Sequence, residues 1–282
     1  MSIPEGFVEL RETRGIGWVR EDLADLGLPM FWAAVTALPG AKGRGGVGQL
    51  ELKPGIVAVV RPFRRGGAFA RLLGERYGGS ARVFDELSVL AHLKREGVPV
   101  ATPLAAVARR HHAFWRLRIL TRIEPGALGL PSFCAAYPRL RSWAIEAAGV
   151  CVQLAVRSGL WHPDLHPDNL LLAPRGDRVR AVLVDLDKAK LKPSISDGDR
   201  AKMLVRMARY LHRHADALPV VPTRADYLRF LKAFGLDRKS RRECFLALGP
   251  ELAKSLARHG LLRGRAPGKP RASKRTPREP NP

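Results

Sequence analysis

Apolar residues recur along this chain with period two in its first half and with a period near 3.6 in its second. The runs Gln49–Leu52 and Ile56–Arg61 read as strands, and Lys53-Pro54-Gly55 between them is hairpin punctuation. From Ser80 to Glu96 the apolar positions Val83, Leu87, Leu90, Ala91 and Leu93 fall on one stripe, which predicts a helix with Ser80 as N-cap and Gly97 as C-cap. The stretch VPVATPLAAVARRHHAFWRLRILTRIEPG predicts two or three strands closing at Pro125-Gly126. Residues 43–123 therefore read strand, strand, helix, strand, strand. Residues 1–40 read as a short strand pair and a helix, ended by Pro39-Gly40.

After Gly126 helical patterns dominate. Tyr137–Ser158 reads as one long helix stopped by Gly159. It carries Glu146, Gln153 and Arg157, so it suits a core helix and not a membrane span. NLLLAP and VRAVLVDLDKA follow as short strands divided by Arg175-Gly176-Asp177. Residues 197–217, 223–235 and 238–259 read as three further helices, with Ser196-Asp197 and Thr223 as caps. The expected fold class is α+β, with a small β-rich N-lobe and a mainly helical C-lobe. The expected division is 1–42 as an N-terminal extension, 43–123 as the small lobe, 124–262 as the large lobe and 263–282 as a basic, Pro-rich, disordered tail.

Composition adds a partner class. The 282 residues are 46% hydrophobic and 27% charged, a globular balance. Lys plus Arg number 49 against 26 acids, a formal +23, which calls for an anionic partner: nucleic acid, a membrane leaflet or a phosphorylated substrate. Cys134, Cys151 and Cys244 are widely spaced without a CxxC, which fits a reducing compartment. The N-terminus MSIPEGFVELRETRG has acids and no apolar core, so no signal peptide is read there and a cytoplasmic location is expected.

The candidate chemistry lies in WHPDLHPDNLLL, Trp161 to Leu172. Asp164 and Asn169 match the spacing of the phosphoryl-transfer loop H-R-D-L-x-x-x-N, with Pro163 in place of Arg. In that loop the Asp orients the acceptor hydroxyl and takes its proton, and the Asn amide oxygen suits a hard Mg²⁺ ion. His166 stands where a Lys often touches the transferred phosphate. A solvated turn and a His162/His166 zinc pair are the alternatives on the loop alone, although Pro163 and Pro167 break the helix that such a pair needs. One hairpin later Asp185-Leu186-Asp187 closes an apolar strand, which places Asp185 where the D-F-G aspartate holds Mg²⁺. Glu86 sits on the helix that supplies a Glu partner to a strand cation, and the strand offers Arg61 and no Lys. Gly43, Gly45 and Gly48 fit a phosphate-covering G-x-G-x-x-G.

With GRGG, VVRPFRRGG, RLLGERYGG, FDELSVLAHLKREGVPVATPLAA, HPDLHPDNLLL and LVDLDKA in order, the chain resembles the lipopolysaccharide kinases of Gram-negative bacteria, and among them the 3-deoxy-D-manno-octulosonic acid (Kdo) kinases, over residues 43–210. The resemblance implies a two-lobed protein-kinase-like fold and use of ATP and Mg²⁺. It implies transfer to a sugar hydroxyl of the inner core, at the cytoplasmic face of the inner membrane. By motif position it makes Asp164 the catalytic aspartate, Asn169 and Asp185 the metal ligands, and Arg61 with Glu86 the nucleotide-positioning pair. The partners it implies are Kdo–lipid A or another inner-core acceptor and an anionic membrane surface, which accounts for the basic charge without nucleic acid. Arg64, Arg65, Arg71 and Arg76 become candidates for acceptor or membrane contact. The rivals are a heptose, small-molecule or Ser/Thr protein kinase of the same fold, and a pseudokinase that binds through its basic surface.

Overall fold

The computed structural model describes residues 2–38, 46–64, 74–176 and 178–261. Gly43, Gly45, Arg65, Arg71 and the tail 263–282 lie outside the described residues. The small lobe is built on one antiparallel sheet. Its strands are β1 (Phe7–Glu12), β2 (Gly15–Arg20), β3 (Thr36–Ala37), β4 (Gly48–Lys53), β5 (Ile56–Pro62), β6 (Pro103–His111) and β7 (Phe114–Arg122). They are ordered β1-β2-β6-β7-β5-β4-β3. The helices of this lobe are a short α1 (Gly27–Met30) and α2 (Ala81–Arg95).

Period-two alternation lets the sheet bury both faces. Ala106 and Ala108 of β6 pack under α2 with Val83, Leu87 and Leu90. Ala105 and Val107 face the other way, into a second cluster with Val19, Leu23, Leu28 and Phe31. The strand pair expected as an extension ahead of the lobe is therefore a working part of it. β2 pairs with β6, Gly15 opposite Arg109 and Val19 opposite Ala105, and residues 21–31 cover the second face. Phe31 is fully buried there. Phe31→Ala should cost about 3–5 kcal/mol of unfolding free energy, read as a lower urea midpoint. An unchanged midpoint would mean that this segment only rests on the sheet.

Helix α2 ends where the sequence placed its stop. Gly97 adopts φ +75°, its N–H donates to the Lys94 carbonyl, and the Val98 N–H donates to the Leu93 carbonyl. That pattern needs a left-handed residue, which glycine takes without a Cβ clash. Ser80 occupies the N-cap position but makes no side-chain bond there.

The large lobe contains α3 (Leu130–Ala136), α4 (Arg141–Arg157), α5 (Asp197–Arg213), α6 (Arg224–Ala233) and α7 (Arg238–Leu261). Its strands are β8 (Leu128–Gly129), β9 (Leu160–Trp161), β10 (Leu170–Arg175), β11 (Arg178–Leu183) and β12 (Lys190–Leu191). The single helix expected from Tyr137 begins at Arg141, because Pro138 opens a 3-10 turn instead. Helix α3 was not expected. Pro131 sits in its first turn, where a missing N–H costs nothing. The caps at Ser196 and Thr223 are as read: Ser196 accepts from the Asp199 N–H, and Thr223 forms a capping box with Asp226.

The lobes are stitched by backbone. The Ala101 N–H donates to the Leu183 carbonyl at 3.0 Å, and the Leu183 N–H donates to the Pro99 carbonyl at 2.8 Å. This fixes the end of β11, and with it Asp185, against the small lobe. Among the described residues no helix is long and apolar enough to cross a membrane.

Candidate active site

The loop between β9 and β10 is extended because Pro163 and Pro167 forbid a helix, and it closes in a 3-10 turn at Pro167–Asn169. His162 is buried at its start, with 1% exposure. Its Nδ1 accepts the Asp164 N–H at 3.3 Å and its Nε2 faces the Asp185 carbonyl at 3.1 Å. These partners require a neutral ring with the proton on Nε2. Burial enforces the same state by pushing the imidazole down to about 4, against the pull of Asp185. His162 thus joins the two acidic motifs and is engaged by backbone, not by a metal pair with His166.

Asn169 is buried, with Nδ2 3.4 Å from the Asp164 carbonyl. Its own carbonyl accepts the Val184 N–H at 2.8 Å, which sets the amide beside Asp185. Asp185 is half exposed and holds φ +57°, a left-handed conformation that Asp tolerates better than most residues. Asp164, Asn169 and Asp185 are therefore gathered in one cleft. With Nδ2 spent on backbone, the Asn169 amide oxygen and the Asp185 carboxylate form an all-oxygen donor pair, the chemistry that Mg²⁺ takes.

From the small lobe Arg61 reaches both Glu86 oxygens with one nitrogen, Nη2, at 2.5 Å each, and lies 3.5 Å from Asp185. The expected pair is formed. Burial pushes the Glu86 carboxyl up to about 7, even with Arg61 pulling it down. Burial works against the Arg61 charge, but Glu86 and Asp185 outweigh it and hold the guanidinium protonated.

Arg82, in the first turn of α2, was not singled out from the sequence. It grips Asp187 in a fork, Nε to Oδ1 at 2.8 Å and Nη2 to Oδ2 at 2.5 Å. Asp187 stands where a glycine ends the D-F-G motif, so this segment is tied to the helix that also carries Glu86. Asp187→Asn should lower stability by about 1–2 kcal/mol, seen as a shifted urea midpoint. Adding Arg82→Gln should cost little more, since the pair is already broken. Fully additive losses would show that the two side chains do not meet in solution.

Two further residues reach the loop from α5, again without a local signature. Arg206 donates from Nε to Asp164 Oδ1 at 2.9 Å and from Nη2 to the same oxygen. Tyr210, one turn on, donates to Asp168 and stacks on His166, with ring centroids 4.5 Å apart. Their i, i+4 spacing was legible, but not what the face meets. His166 does not carry the fixed charge of a lysine. Burial and Arg206 push its pKa below the ordinary value, and one face of its ring stacks on Tyr210.

Gly48 lies in β4, where a Cβ would come within 2.7 Å of the Thr36 carbonyl and 2.6 Å of Val35. Close packing against β3 thus also favours glycine here. Arg64 bonds to Glu75 at 2.9–3.0 Å.

The sequence profile of the lipopolysaccharide kinase (Kdo/WaaP) family matches residues 35–234. The chain belongs to this family. Lipopolysaccharide kinases of known name accompany it. A 3-deoxy-D-manno-octulosonic acid kinase of Vibrio vulnificus (strain YJ016) is 30% identical over 202 residues, 70% of this chain and 82% of that protein. One of Xylella fastidiosa (strain M12) is 30% identical over 213 residues, 74% of this chain and 83% of its own. The solved structure of WaaP in complex with acyl carrier protein superposes with a TM-score of 0.54 at 22% identity, over 86% of this chain and 93% of that one, a likeness of fold. The two-lobed kinase-like fold expected from the sequence is the one observed. As a lipopolysaccharide kinase the protein is a phosphotransferase with ATP as donor, acting on a sugar of the lipopolysaccharide inner core.

Proposed function

We propose that this lipopolysaccharide kinase transfers the γ-phosphoryl group of ATP to a hydroxyl of Kdo on Kdo–lipid A, with Mg²⁺, while bound peripherally to the cytoplasmic face of the inner membrane. The observation that carries the mechanism is the gathering of Asp164, Asn169 and Asp185 in one cleft opposite Arg61. Asp164 orients the acceptor hydroxyl and takes its proton as the oxygen–phosphorus bond forms and the bond to ADP breaks. Asn169 and Asp185 would hold Mg²⁺, which when bound neutralises charge on the donor phosphates. Arg61, fixed by Glu86, positions those phosphates from the small lobe.

The relatives named as Kdo kinases support the acceptor. So does its chemistry. Kdo carries a carboxylate and lipid A carries phosphates, anions that the formal +23 of the chain favours. The same charge supports the membrane: Lys and Arg gain about 1 kcal/mol each near an anionic leaflet. Arg64 and Arg76, both exposed, are candidates on the small lobe.

The test is incubation of purified protein with MgATP and either Kdo–lipid A or lipid A lacking Kdo, followed by mass analysis. A gain of one phosphate on the first alone supports the reading. Transfer to a heptose-extended core but not to Kdo–lipid A would move the enzyme to the heptose-kinase branch. Phosphate appearing only on protein would end it.

A further inference from the structure

Helix α5 follows the catalytic loop residue by residue. Met203 Sδ accepts the His162 N–H at 3.4 Å, Arg206 holds Asp164, and Tyr210 holds Asp168 and stacks on His166. These three residues recur at i, i+3 and i+7 on one helical face. His162, Asp164, His166 and Asp168 alternate along the loop, and His166 is extended at φ −150°, ψ 163°.

The Arg206–Asp164 contact is not explained by stability. Asp164 is 54% exposed, and an ion pair with so open a carboxylate contributes little to folding. Arg206 itself is only 19% exposed, so its guanidinium has little freedom to leave the carboxylate. Both of its donors converge on Oδ1. That leaves Oδ2 to meet a hydroxyl. Arg206 thus fixes which oxygen faces the acceptor, and Tyr210 keeps the loop from rocking one turn further on.

We propose that Arg206 is a positioning residue for phosphoryl transfer: it holds Asp164 by Oδ1 so that Oδ2 is presented to the acceptor hydroxyl, with Tyr210 bracing the same loop. Arg206 acts through Asp164 and touches neither nucleotide nor acceptor. The proposal rests on Asp164 being the base.

The experiment is steady-state kinetics with MgATP and Kdo–lipid A on Arg206→Ala, Arg206→Lys, Asp164→Asn and the double variant Asp164→Asn/Arg206→Ala. A misplaced base costs about 10²-fold, so kcat of Arg206→Ala should fall by about that factor, with the KM for ATP unchanged. Arg206→Lys should recover part of the loss, since one donor and the charge persist. Methylguanidinium in solution should raise the rate of Arg206→Ala and leave wild type unmoved. The double variant should be no slower than Asp164→Asn, because the base whose position Arg206 sets is already gone. Thermal melting confirms that each variant is folded, and Arg206→Gln replaces Arg206→Ala should the latter not fold. A kcat within about twofold of wild type, or an equal loss in the Asp164→Asn background, would overturn the proposal. A fully active Asp164→Asn would instead overturn the assignment of the base.

Discussion

Asp164→Asn is expected to lower kcat by about 10²–10⁴-fold, the range of general-base catalysis, while ATP binds as before. The substitution keeps shape and size, and an amide oxygen can still accept from Arg206. The other position becomes an NH₂ group, a donor where the hydroxyl needs an acceptor. The nucleotide side of the cleft is left intact. Among the described residues Asn169 meets Asp164 through its backbone, donating to the Asp164 carbonyl, and Asp185 is linked to it through His162, which accepts the Asp164 N–H. Single-turnover transfer should therefore collapse while a nucleotide titration superposes on wild type. Asp185→Asn should differ by losing both, because it removes charge from the donor pair that takes the metal. Full activity in Asp164→Asn would remove the mechanism as stated.

What could be read from the sequence follows the range of the interactions. Asp164, Asn169 and Asp185 lie within one loop–hairpin segment, so their spacing alone located them. Glu86 was legible because a helical stripe placed it, and Arg61 because its strand was bounded by a turn and a helix. The N-terminal hairpin was seen as a strand pair, but its place was not. β2 finds β6 across most of the small lobe, and strand partners leave no mark in a local pattern. Arg206 and Tyr210 escaped for the same reason. Both stand on a helix whose apolar residues announce it, while their targets lie 42 residues away. Gly48 also answers a demand of packing, which a motif match cannot reveal. The lost start of α4 and the unseen α3 both turn on proline. Pro138 redirects a helix that its neighbours favour, and Pro131 opens one in a stretch to which no element was assigned.

Arg61→Ala should be the most damaging single change outside the catalytic loop. It removes the guanidinium that, among the described residues, touches Glu86, whose side chain is 3% exposed, and strands a carboxylate in the lobe. Breaking such a pair costs about 3–5 kcal/mol, and the phosphates lose their cation, so the KM for ATP should rise steeply. Arg61→Lys should retain some activity, because charge persists without the fork. The sign of the pH dependence separates this from a general loss of packing. The Glu86 carboxyl stands at about 7 when folded, above the ordinary 4.5, so the folded state binds its proton more tightly than the unfolded state does. Its contribution to stability is therefore full below about pH 4.5 and is lost as pH rises through 7. Without Arg61 the carboxyl is pushed higher still, and the loss extends further up the scale. Arg61→Ala should then fall further behind wild type at pH 8 than at pH 6 in urea midpoint. Arg61→Ala/Glu86→Gln should regain stability at pH 8, since no charge is left to bury, but should not regain affinity for ATP. A double variant as unstable as Arg61→Ala at pH 8, with a gap that ignores pH, would mean that the cost lies in the cavity and not in the stranded charge.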